Sequence, residues 1–120
     1  SAIASFKLAI KLNPNLPQAH YNLGTVFKAA GDLSSAIVSL KQSIKLNPNY
    51  AEAYSNLGLA FQEEGNLSDA KFSFNQAIKL NPNYAEAYSN LGVAFKVDFE
   101  ADFIKLVEKL VNQVVSYQLL

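Results

Sequence analysis

The sequence has no cysteine, no methionine, no tryptophan and a single histidine among its 120 residues. Without cysteine there is no disulfide and no thiol chemistry. With His20 alone there is no ligand set for a transition metal. No run of eighteen apolar residues occurs, so no membrane span is expected, and no basic start leads into an apolar core as in a signal peptide. Ten Lys and Arg balance ten Asp and Glu to a formal net charge of zero, without a basic stripe, so nucleic acid meets no counter-charge. The five glycines stand singly, which excludes a phosphate-cradling loop. Glu63 and Glu64 read as a solvated pair at a helix end rather than an acid–base dyad, and Asn66-Leu67-Ser68 reads as a turn rather than a glycan acceptor. No catalytic residue, metal or cofactor is therefore expected. The absent leading methionine and a start inside a helix suggest part of a longer chain. The compartment stays open, the cytoplasm being favoured over secretion.

What is present is one unit, repeated. The string IKLNPN occurs at Ile10–Asn15, Ile44–Asn49 and Ile78–Asn83, and YAEAYSNLG at Tyr50–Gly58 and Tyr84–Gly92, always at an offset of 34 residues. Two independent strings sharing one offset define an internal repeat. Within Ala51–Glu64, Ala51, Tyr54, Leu57, Gly58 and Phe61 fall on one helical face. Gly65 can take the left-handed conformation that ends a helix, and Ser68 is a candidate N-cap for a second helix over about 69–80. Its apolar stripe is Ala70, Phe74, Ala77, Ile78 and Leu80. Pro82 stops it by withdrawing a backbone donor. Gly58 costs roughly 1 kcal/mol against alanine at mid-helix, a cost that makes sense only where another helix comes close.

The pattern Tyr54, Leu57, Gly58, Phe61, Ala70, Phe74, Ala77 and Pro82 resembles the tetratricopeptide repeat. The preceding unit matches through Leu23, Gly24, Phe27, Ala36, Leu40 and Pro48, with His20 in place of an aromatic and Ser43 in place of alanine. The resemblance covers about residues 1–97. It implies an all-α, right-handed superhelical solenoid of antiparallel hairpins, with first helices lining a concave face that binds protein or peptide partners. The reading by residue is a truncated second helix over 1–15, repeats at 16–49 and 50–83, the first helix of a partial repeat at 84–99, and a separate helix at 100–120, making seven helices. In that last helix Phe103, Val107, Val111 and Val114 are expected either to cap the final hairpin or to connect to a following domain. The first helix, lacking its partner, is expected to leave an apolar face open to self-association.

The groove-facing positions follow from the period: Gln18, Tyr21, Asn22, Thr25 and Lys28, then Glu52, Ser55, Asn56, Leu59 and Gln62, then Glu86, Ser89, Asn90, Val93 and Lys96. Asn22, Asn56 and Asn90 recur once per period. Asparagine is a weak helix former, while its amide matches the C=O and N–H of an extended peptide. One reading is a ladder that grips peptide backbone; the other is a set of amides that fix neighbouring helices. The ladder, and the long terminal helix, also resemble the repeat region of O-GlcNAc-transferase-like proteins, which implies a substrate-binding segment of a larger glycosyltransferase. Other tetratricopeptide domains hold chaperone C-termini in a carboxylate clamp of Lys, Arg and Asn. At the matching positions this chain has Tyr21, Thr25, Asn56, Glu86 and Asn90, so no such clamp is expected.

Overall fold

The computed structural model describes residues 1–119. Six α-helices and no strand occur among them: α1 (Ala2–Leu12), α2 (Pro17–Ala29), α3 (Leu33–Leu46), α4 (Ala51–Glu64), α5 (Leu67–Leu80) and α6 (Ala85–Gln118). Successive helices pack on one another, and α2 also touches α4, as α4 touches α6. The first helices thus stand side by side as one wall, with α3 and α5 behind it. The molecule is elongated, 71 × 31 × 19 Å.

The Asn-Pro-Asn signature works as a backbone device. The side chain of the first asparagine accepts from the N–H two residues on, Asn15 to Asn13, Asn49 to Asn47 and Asn83 to Asn81, at 3.2–3.3 Å. The chain therefore leaves each second helix at the same angle, which keeps the period constant. Gly31 and Gly65, with φ of 81° and 88°, turn the chain inside each hairpin. Asp32 and Asn66 then cap the second helices, accepting from the N–H of Ser35 and Asp69. The cap of α5 is accordingly Asn66 and not the expected Ser68.

The core lies between first and second helices. Ala36, Leu40, Ala70, Phe74 and Ala77 are fully buried. A Cβ on Gly24 would stand 2.7 Å from Leu40, and one on Gly58 would stand 2.5 Å from Phe74, so each glycine is the floor on which a large side chain of the second helix sits. The two departures from the repeat pattern are both satisfied: the buried Ser43 donates to the Pro17 carbonyl at 2.9 Å, and His20 Nε2 lies 3.0 Å from the Pro14 carbonyl. Between hairpins, Lys7, Lys41 and Lys71 each place an ammonium 5.0–5.8 Å from the ring of Phe27, Phe61 and Phe95, a cation–π contact renewed at every junction.

The expected seventh helix does not form as a separate element. Residues 85–118 are one unbroken helix, roughly 50 Å long at 1.5 Å per residue. At the place where Gly31 and Gly65 turn the chain, the third period carries Phe99, whose side chain disfavours the left-handed conformation. Asp98, beside it, is tied to Lys71 of α5, which holds this turn of α6 against the solenoid. The distal segment does not lie on the last hairpin: Phe103, Val107, Val111 and Val114 are 57%, 41%, 53% and 58% exposed. Leu120 lies outside the described residues.

Candidate concave peptide-binding face

The asparagine positions recur as the period demands, one on each helix of the wall, but their amides are used differently. Asn22 accepts from Gln18 Nε2 within its own helix at 3.3 Å. Asn56 donates across the wall to the Tyr21 hydroxyl at 2.9 Å and to the Glu52 carbonyl at 3.3 Å. One period later the equivalents are Asn90 and Ser55. Serine is far shorter than tyrosine, and Asn90 Nδ2 is buried without a hydrogen-bond partner. Gln62 Oε1, on the same wall, is buried and unpartnered too. Buried polar atoms without partners are uncommon and ask for an explanation.

Two residues that the period did not assign to the wall belong to it. Tyr50, the residue before α4, stacks on Tyr21 with ring centroids 4.8 Å apart and donates to Gln18 Oε1 at 2.7 Å. Tyr84, before α6, approaches Ser55. The signal was in the sequence as the tyrosine that closes each Asn-Pro-Asn-Tyr turn. Burial pushes the Tyr21, Tyr50 and Tyr84 phenols above their usual 10.0, and the carboxylate of Glu52 pushes all three the same way. Glu86 adds to this at Tyr21 and Tyr84. The phenols thus stay protonated as hydrogen-bond donors over the neutral range.

Gln18, Tyr21, Tyr50 and Glu52 line a cleft of about 590 Å³, together with Pro17, Asn47 and Asn49. The remaining positions divide. Glu52, Glu86, Ser89, Val93 and Lys96 are exposed; Asn22, Thr25, Lys28, Asn56, Leu59, Gln62 and Asn90 are half-buried. Ser55 is only 2% exposed, a packing position beneath Tyr84. Thr25 donates to the Asn22 carbonyl of its own helix at 2.8 Å. Glu52 and Glu86 lie in the first turns of α4 and α6, and Lys28 lies in the last turn of α2. No grouping of three or more His, Cys, Asp or Glu that could hold a metal occurs among the described residues.

Comparison with known proteins agrees with this architecture. A family model described as TPR repeat matches residues 1–31 and 24–65, and one described as tetratricopeptide repeat matches residues 51–84. No curated protein matches. Among solved structures, MamA is similar at 29% identity and a TM-score of 0.78, over 93% of this chain and 68% of that one. The first TPR domain of Spaghetti, solved with an HSP90 peptide, shares the fold at 23% identity and a TM-score of 0.77, over 79% of this chain and 75% of that one. An O-GlcNAc transferase mutant from Thermobaculum terrenum matches at 26% identity and a TM-score of 0.74, over 77% of this chain but 18% of the transferase. The matched period, the glycine-seated hairpins and the family models agree: the chain belongs to the tetratricopeptide-repeat family.

Proposed function

We propose that the chain is an interaction scaffold whose wall of α2, α4 and α6 binds an extended peptide segment, chiefly through its backbone. The repeats that serve are those at 16–49 and 50–83 with the partial one at 84–99. The supporting observation is Asn90 Nδ2, buried on the wall without a hydrogen-bond partner. A side-chain amide offers donors and an acceptor that match the C=O and N–H of a passing strand. Asn22, Tyr21 and Asn56 are already bonded to one another or to their own helices, so they hold the wall in shape, and Asn90 is the free rung. Solved relatives of this fold include one with a bound peptide. The test is calorimetric titration with unstructured peptides of unrelated sequence. Asn90→Ala should weaken binding by about 0.5–1.5 kcal/mol while the melting temperature stays put. Unaltered affinity would refute the assignment.

A second reading, that these repeats present substrate to a larger glycosyltransferase, is favoured by the 26% identity to the transferase structure. The coding sequence on either side of these residues decides it: a glycosyltransferase domain there supports the reading, and its absence sinks it.

A further inference from the structure

The exposed side of α6 carries a pattern of its own. Tyr88, Phe99 and Leu110 follow one another at intervals of 11 residues, as do Gly92, Phe103 and Val114, and Phe95, Leu106 and Tyr117. An 11-residue period corresponds to 3.67 residues per turn, so on a straight helix all nine positions share one face. Apart from Gly92 these are large side chains, every one of them at least 51% exposed. A contiguous exposed apolar face of this size marks an interaction surface.

Gly92 gives the geometry of what belongs there. Its equivalents Gly24 and Gly58 seat Leu40 and Phe74 of an antiparallel second helix, whereas a Cβ on Gly92 would meet nothing within 4 Å. The seat for a second helix is present and vacant. The chain's own distal segment does not fill it, because Phe99 replaces the turn glycine and α6 runs straight on.

We propose that the occupant is α6 of a second copy, paired antiparallel along its full length about a two-fold axis near Phe103. The nine positions read backwards map onto themselves to within one residue, as a self-complementary two-fold interface requires. Tyr88 then faces Tyr117 of the second copy, Phe95 faces its Leu110, Phe99 faces its Leu106, and its Val114 sits on Gly92. Each distal segment thereby supplies the second helix that the other copy's last hairpin lacks. Eight side chains hiding about 100 Å² apiece remove about 800 Å² per copy, the size of a standard stable interface. Asn90, two residues from Gly92, points to the opposite side of α6 (100° per residue) and stays open in the dimer, whereas Lys96, one turn beyond Gly92, borders the interface.

Sedimentation of the full chain over a range of micromolar concentrations tests this. The chain should run as a dimer. Phe99→Asp should raise the dissociation constant at least about a hundredfold, as loss of a central interface aromatic does, with helical circular dichroism unchanged. Leu8→Glu, on the exposed face of α1, should leave the dimer intact. The chain has no cysteine, so introduced ones report register directly. A mixture of Tyr88→Cys and Tyr117→Cys chains should form a disulfide between them, and neither variant alone should. A monomer throughout, a disulfide from Tyr117→Cys alone, or a dimer broken by Leu8→Glu and not by Phe99→Asp overturns the proposal.

Discussion

The ring of Phe74 lies so close over Gly58 that a Cβ there would stand 2.5 Å from its Cε1 and 2.7 Å from its Cδ1. Phe74 is fully buried and has nowhere to retreat. Gly58→Ala should therefore destabilise, by about 1–3 kcal/mol of overpacking less about 1 kcal/mol of regained helix propensity. Gly92→Ala, where a Cβ meets nothing within 4 Å, should instead gain up to about 1 kcal/mol when measured in a Phe99→Asp background that keeps α6 single. Urea denaturation of both variants checks the opposite signs; equal effects would mean that the seat is not formed.

Leu57 is 5% exposed in the central cluster with Leu40, Phe61 and Phe74. Leu57→Ala should cost about 2–5 kcal/mol, the transfer of the lost methyl groups plus the cavity they leave. A loss below about 0.5 kcal/mol, the level of an ordinary surface change, would show that the core is drawn in the wrong place.

The three shifted phenols make stability sensitive to alkali. Their folded pKa values lie above the unfolded 10.0, so the folded state holds these protons more tightly. The resulting stability is complete below pH 10 and is lost as the pH rises through the folded values. Tyr21→Phe with Tyr50→Phe should flatten that alkaline decline. Phenolate absorbance should show ionisation later than in a free tyrosine, and an early, ordinary titration would contradict the packed wall.

Peptides ending in a cluster of acidic residues should not bind. Glu52 and Glu86 are both exposed on the wall, close enough to Tyr21 to act on the same phenol, and would repel a terminal carboxylate. Calorimetry with such a peptide should show no heat of binding. Glu52→Lys with Glu86→Lys should create measurable affinity that salt weakens. Micromolar binding by the unaltered chain would mean that the acidic end of the wall is not where the peptide lies.

The hairpins and the face of each helix were legible in the sequence, because a 34-residue period with Gly, Ala and Pro at fixed places admits one packing. Gly24 over Leu40 and Gly58 over Phe74 are that period made physical. The series Asn22, Asn56 and Asn90 was legible as a placement on one wall. How each amide is used was not: Asn56 finds a hydroxyl and Asn90 does not because Tyr21 and Ser55 differ in reach, and reach across helices exists only once they are packed. Tyr50 likewise became part of the wall only when stacked on Tyr21. The tail shows the division most clearly. The sequence determined an amphipathic helix after Val97 and the loss of the turn glycine at Phe99. That the helix runs unbroken from α6's first turn emerges only once the helices are packed, where Lys71, 27 positions earlier, holds Asp98 against α5.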